Sequence, residues 1–210
     1  MRFAREGYPR IFGLGIASLV LNLIGFQTLG LLFLLLALFV AYFFRDPERK
    51  GPMDDRLILA PADGRVVTVE EDVQEARFLS APATRIGIFM SPLDVHVNRV
   101  PVTGRVLSVQ YKRGKFRPAF ASSASEVNEQ NVVTIEDAQG RRIVLVQIAG
   151  ILARRISCTL QDGELVRKGH RYGMIMFGSR VDLYCSPDIL LKVQVGQRVK
   201  GGETIIGMYL

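Results

Sequence analysis

Between Ile11 and Phe44 the chain carries no charged side chain, and beyond residue 52 the pattern changes to short apolar runs separated by Gly, Pro and Asp. The two textures predict two architectures. As one helix rising about 1.5 Å per residue, the uncharged run would reach roughly 50 Å, well past a hydrocarbon core of about 30 Å. Its middle is polar and flexible, with Asn22, Gly25, Gln27 and Thr28, so two helices at 11–24 and 28–44 joined by a tight turn fit better. The first helix is short for a full span, and a shallow re-entrant hairpin is the alternative. A secretory signal fits less well, because the run is too long and no small-residue cleavage site follows it.

The stretch Arg45-Asp46-Pro47-Glu48-Arg49-Lys50-Gly51-Pro52 reads as a linker, with two prolines in a cluster of charges. After it, apolar runs at 57–59, 65–69, 86–90, 105–109, 132–135, 143–148, 190–195 and 204–209 alternate with turn residues. Their length and content predict strands, and only 119–129 has the pattern of a short helix. The expected organisation is a hydrophobic helical hairpin and linker at 1–50, then one mainly β domain at 51–210 with few short helices. Within that domain, residues 173–182 read as a single strand. The pair Gly178-Ser179 inside it does little for stability, since glycine weakens a strand interior and often marks a bulge. A serine directly after glycine can turn its hydroxyl on a carbonyl that no Cβ shields. On the pair alone, an ordinary bulge with a solvated serine is the simpler reading.

Charge and composition narrow the partners. A formal charge of +7, a pI near 9.7 and a positive mean hydropathy of +0.22 favour a negatively charged partner and an apolar surface. The basic residues are spread out, with no Lys/Arg-rich tail or nucleic-acid motif, so anionic lipid is the better reading than nucleic acid. Arg2, Arg5 and Arg10 precede the hairpin, and Arg45, Arg49 and Lys50 follow it. Positive residues at both ends place both on the cytoplasmic side of a cell membrane, with the domain held at its surface. Cys158 and Cys185 have no metal-ligand spacing, no metal site is expected, and a reducing compartment makes them thiols. Imidazole chemistry is limited to His96 and His170.

Two segments, 60–66 and 195–203, resemble halves of the barrel-sandwich hybrid found in biotinyl and lipoyl carriers. A carrier domain would need a lysine at a hairpin tip, flanked by methionine, and no such Met-Lys pair occurs. A different set of motifs is more specific. Phe43-Phe44-Arg45-Asp46-Pro47, Ala60-Pro61-Ala62-Asp63-Gly64, the run from Met90 to Pro101 containing Asp94-Val95-His96, Gln147-Ile148-Ala149-Gly150 with Ala153-Arg154-Arg155, and Phe177-Gly178-Ser179 occur in order. Together they resemble the phosphatidylserine decarboxylase family in its short prokaryotic form, over essentially the whole chain.

That resemblance implies a proenzyme that cuts itself between Gly178 and Ser179 into 1–178 and 179–210. Ser179 would become a covalent pyruvoyl group, which forms a Schiff base with the substrate amine and takes the place of an external cofactor. Phosphatidylserine would lose carbon dioxide to give phosphatidylethanolamine, with membrane lipids as the surroundings. The two chains would remain a heterodimer, and a further dimer fits the family. His96 matches the family position for the proton donor, and Asp63 for a carboxylate that orients a base during self-cleavage. The longer members carry a second histidine three residues after the first, where this chain has Arg99. Asp94 reads as the cap of the turn before His96, and His170 as a solvated loop residue. Lys115, Phe116 and Phe120 in a loop of alternating cations and aromatics, with Arg154 beyond it, are candidates for lipid contact. An ether-type (archaetidyl) serine lipid would present the same headgroup. A serine hydrolase using an intact Ser179, and an adaptor anchored by its hairpin, are the rival classes; both would leave the chain uncut.

Overall fold

In the computed structural model the described residues are 2–74, 82–117, 127–150, 155–176 and 179–210. They form two units, Met1–Glu48 and Arg49–Leu210. The first holds strand β1 (Arg2–Phe3), helix α1 (Tyr8–Leu23), helix α2 (Gln27–Phe43) and strand β2 (Arg45–Asp46). Pro9 stands in the first turn of α1, where its missing N–H leaves no hydrogen bond unmade. Gly25 turns the chain at a φ of +90°. Small polar groups fasten the helices: Ser18 Oγ donates to Gly30 O at 2.7 Å, and Asn22 Nδ2 donates to Ser18 O at 2.9 Å. Phe12, Leu23, Leu31, Leu32 and Leu38 face outward, each more than half exposed. Antiparallel pairing of β1 with β2 brings both ends of the hairpin to one side. With 16 and 17 residues, neither helix is long and apolar enough to cross a membrane among the described residues.

The second unit contains β3 (Leu57–Leu59), β4 (Gly64–Val73), β5 (Ala83–Met90), β6 (Val97–Arg99), β7 (Gly104–Lys112), β8 (Gln130–Glu136) and β9 (Arg142–Ile148). It continues with β10 (Ile156–Cys158), β11 (Leu165–Val166), β12 (Arg171–Ile175), β13 (Ser179–Cys185), β14 (Ile189–Leu191), β15 (Arg198–Val199) and β16 (Ile205–Tyr209). Eight strands make one curled half-barrel sheet in the order β11-β7-β8-β9-β13-β5-β4-β15. Two three-stranded sheets, β10-β12-β6 and β14-β16-β3, complete the fold. The fold is mainly β, as the sequence predicts. One core joins the sheets: Ile86, Ile88, Leu145, Val181 and Leu183 of the large sheet pack with Ile58, Tyr172, Ile175 and Ile206 of the small ones. The carrier-like segments meet, Gly64 pairing with Val199 and Arg65 with Arg198.

The single strand expected at 173–182 is two strands in different sheets. β12 pairs with β6 and β10, whereas β13 lies between β9 and β5 in the large sheet. Both are buried and rich in apolar residues, so periodicity carries no sign of the crossing between them. The short helix expected at 119–129 lies outside the described residues except for 127–129, of which Asn128 is bridged to Lys115.

Candidate active site

Ser179 is the first residue of β13 and is fully buried. It sits opposite Met90, the last residue of β5, and its hydroxyl lies 3.9 Å from Met90 Sδ. Asn98 Nδ2 approaches the same sulfur at 3.7 Å, so two donors meet one weak acceptor. Gly178 lies outside the described residues.

Behind Met90 runs a chain of buried amides. Gln147 Nε2 donates to Asn98 Oδ1 at 2.8 Å, and Asn131 Nδ2 donates to Gln147 Oε1 at 2.9 Å. Asn131 and Gln147 are directly paired on β8 and β9, and Gln147 is paired with Val181 on β13. Directly paired residues share a face, so these amides lie on the core side of the large sheet, as Val181 does. Gly173 on β12 allows the approach: a Cβ there would stand 2.9 Å from Gln147 Nε2 and 2.2 Å from Ser157 O. Amides suit this place because they satisfy one another without bringing a charge into the core. Asn98 and Gln147 lie in separate motifs of the sequence, 49 residues apart, and residue order carries no sign of their connection. The available signal was a lone glutamine between Val146 and Ile148, after the apolar run Ile143–Val146.

His96 is buried immediately before β6. Its Nδ1 lies 3.0 Å from the Asp94 carbonyl. A carbonyl only accepts, so Nδ1 carries the proton in the neutral ring, and Nε2 holds the lone pair. The His96 carbonyl accepts from Ile175 N at 3.4 Å, which fastens the end of β12 beside the histidine. Ser179 follows Ile175 by four residues, a reach of at most about 14 Å. Asp94 closes the turn: its Oδ2 accepts from Ser91 N at 2.8 Å and from Ser91 Oγ at 2.7 Å.

Asp63 occupies a different electrostatic setting. Arg49 Nη2 reaches its Oδ2 at 2.7 Å, and Gly201 N donates to its Oδ1 at 2.8 Å. Arg49 also pairs with Glu203 at 3.0 Å. Arg99, at the position of the second family histidine, donates through Nη1 to Gly169 O at 2.9 Å and is buried. Its backbone N–H bonds to Pro61 O at 2.8 Å, so the Arg99 strand and the Asp63 turn adjoin. His170 is exposed and lines a cleft of about 610 Å³ with Thr103, Arg105, Glu136, Leu165 and Arg167. That cleft lies at the end of β7 and β8 away from Ser179.

Lys115 is exposed and Phe116 half-buried, whereas Phe120 and Arg154 lie outside the described residues. The Asn128 side chain staples this loop to the end of β9, donating to Arg117 O and to Ala149 O at 2.8 Å each. Lys112 pairs with Gln130, Gln130 with Ile148, and Ile148 with Arg180. The basic loop therefore leaves the large sheet at the same end as Ser179, three strands away across β8 and β9. Cys158 and Cys185 are free thiols, and burial is the main cause that raises both, Cys185 to about 12. Neither is poised as a thiolate nucleophile.

Comparison with known proteins bears on this arrangement directly. The family described as phosphatidylserine decarboxylase matches residues 36–207. A phosphatidylserine decarboxylase proenzyme of Syntrophotalea carbinolica is 48% identical over 204 residues, covering 97% of this chain and 95% of that protein. Proteins of the same name from Carboxydothermus hydrogenoformans (47% identical, 97% and 94% covered) and Syntrophus aciditrophicus (40% identical, 98% and 97% covered) are similar over the same extent. A buried serine at the head of a central strand, a carbonyl-held histidine beside the preceding strand, and similarity along nearly the whole length lead to one conclusion: the chain belongs to the phosphatidylserine decarboxylase family.

Proposed function

We propose that this protein is a self-processing enzyme that decarboxylates phosphatidylserine to phosphatidylethanolamine at a membrane. The observation that carries the reading is the burial of Ser179 at the first position of β13, with the preceding strand tied to His96 through Ile175. In self-cleavage, Ser179 Oγ attacks the Gly178 carbonyl carbon. The C–O bond forms, the C–N bond breaks, and the hydroxyl proton passes to the released amine, leaving an ester. Loss of the Ser179 Cα proton then breaks the Cβ–Oγ bond. Gly178 leaves as a carboxylate, and the dehydroalanine takes up water and releases ammonia. The cut yields chains 1–178 and 179–210.

The surroundings of Ser179 fit the pyruvoyl group that the family implies. Among the described residues the position is fully buried and bordered by the Met90 sulfur, which the Asn98 amide also approaches. When present, that group supplies an electrophilic carbonyl that takes the substrate amine and accepts the electrons freed with carbon dioxide. His96 has the task of proton delivery. Its tautomer is set by Asp94 O, and Nε2 is the atom that binds and returns the proton replacing the carboxylate. Asp63 is assigned an orienting role in self-cleavage, acting from within its pair with Arg49. After the cut, β13 keeps partners of the large chain on both sides and β16 pairs with β3, which supports a lasting heterodimer.

We further propose the division of labour between 1–50, a membrane hairpin and linker, and 51–210, the decarboxylase domain. The outward leucines of α1 and α2 and the arginines flanking them support insertion with both ends cytoplasmic. Lys115 and Phe116, with Phe120 and Arg154, are proposed to meet lipid at the mouth of the site; each cation near an anionic surface adds about 1 kcal/mol. Intact mass under denaturing conditions tests the reading. Two chains, the smaller one 179–210 with a pyruvoyl mass and no free amine, are expected. A single chain of 23.4 kDa in protein that is active on phosphatidylserine vesicles would sink it.

A further inference from the structure

On the face of β13 opposite Ser179, two full charges are buried. Arg180 is 2% exposed and Asp182 0%. Arg180 Nε is hydrogen-bonded to Asp182 Oδ1, and Arg180 Nη2 donates to Thr68 Oγ1 on β4 at 2.9 Å. Asp182 Oδ2 in turn accepts from Arg85 on β5, at 3.2 Å from Nε and 2.8 Å from Nη2. The sheet is shaped around this pair. Gly87 stands directly opposite Asp182, and a Cβ there would lie 2.4 Å from Arg180 Nη2. The guanidinium thus fills a slot that only glycine leaves open.

Stability alone does not explain the pair. A buried ion pair is often matched or bettered by apolar residues of similar volume. The same face already carries an apolar cluster of Ala83, Val132, Val144, Val146, Ile148 and Tyr184. What the charges do supply is register. A slip of one residue would carry Arg180 and Asp182 to the core face, beside Ile86, Ile88 and Leu145. The residue whose position this register sets is Ser179. While the chain is whole, that residue is held from both sides along the backbone. Once the bond before it is broken, β13 alone holds it, and strand ends fray.

We propose that Arg180 and Asp182 form a clasp that holds the first residue of β13 in its working position after the cut. This rests on the self-cleavage reading. Both are positioning residues: they sit on the face away from the Ser179 side chain and act through the strand. The clasp joins three strands, with Thr68 on β4 and Arg85 on β5 as its fixed points.

The test is the double variant Arg180→Met/Asp182→Leu, followed by intact mass, thermal unfolding, and kcat and KM per cleaved chain on phosphatidylserine vesicles. Expected are a melting temperature at or above that of the wild type, normal cleavage, an unchanged KM and a kcat lower on the order of 100-fold, the effect of a small misplacement at a reacting centre. Wild-type kcat in the folded, cleaved double variant overturns the clasp, and so does a double variant left uncut while the wild type is cut. Should the double variant fail to fold, Arg180→Lys decides. It keeps the charge but loses the bond to Thr68, and it must melt like the wild type with kcat lowered by about tenfold; unchanged kcat overturns the proposal. An uncut wild-type chain strikes instead at the self-cleavage reading.

Discussion

The turns carrying His96 and Asp63 enter the sequence argument as parts of one machine, yet the fold treats them differently. The His96 ring is held by a backbone carbonyl, and the strand that follows it carries the buried amide of Asn98, bonded to Gln147. Asp63 is enclosed by charge, with Arg49 on one oxygen and a backbone N–H on the other. A proton carrier needs a ring held in one orientation, and the Asp94 carbonyl on Nδ1 provides that. A carboxylate paired with a guanidinium on one oxygen and a backbone N–H on the other is fixed in place. The difference favours the proposed division, in which the chemistry falls to His96 and Ser179 and Asp63 contributes geometry.

Ser179→Ala gives the largest effect. It removes the proposed nucleophile and the proposed source of the pyruvoyl group, so cleavage and turnover are both expected to be lost, and decarboxylation by this uncut variant would break the whole scheme. His96→Gln comes next. It fills the same space without a titrating nitrogen, and kcat is expected to fall about 10²–10⁴-fold while the fold melts normally. Wild-type turnover in that variant removes His96 from the mechanism.

Gln147→Leu tests whether the amides about Asn98 hold the site. It takes the donor from Asn98 Oδ1 and the acceptor from Asn131 Nδ2, at a cost of about 1–3 kcal/mol, readable as a shift in the denaturation midpoint. Asp63→Asn breaks the ion pair with Arg49 while keeping an acceptor for Gly201 N. Because Glu203 still holds Arg49, a loss of about 1–3 kcal/mol is expected, with cleavage slowed but not abolished. Cleavage abolished at unchanged stability would reverse the comparison and make Asp63 the chemical residue.

The smallest effect at working pH is alkaline. Cys185 is pushed by burial from an ordinary 9.0 to about 12. The unfolded chain loses that proton first, so stability is complete below pH 9 and falls as pH rises from there toward 12, by up to about 1.4 kcal/mol per pH unit. Melting that is flat below pH 9 would assign any loss of turnover there to the site; Cys185→Ala should remove the alkaline slope that this thiol contributes.

Several of these features were readable from residue order alone. An uncharged run with a polar middle demands a helical hairpin, because only helices satisfy the backbone within so apolar a segment. Short Val- and Ile-rich runs between turn residues demand a β domain. Gly178-Ser179 and His96 stand out because their chemistry is local: a carbonyl without a flanking Cβ, and one of only two imidazoles. The tertiary structure alone decided what lies far apart in sequence and close in space. Asp63 takes Arg49 as its partner, 14 residues away, while Gln147 joins Asn98 across 49 residues and Arg180 reaches Thr68 across 112. It also decided that 173–182 crosses from one sheet to another, since alternation records which side of a strand is buried but not the sheet to which it belongs. Local chemistry belongs to residue types and their neighbours in the chain; pairing across sheets belongs to register, which only the packed fold sets.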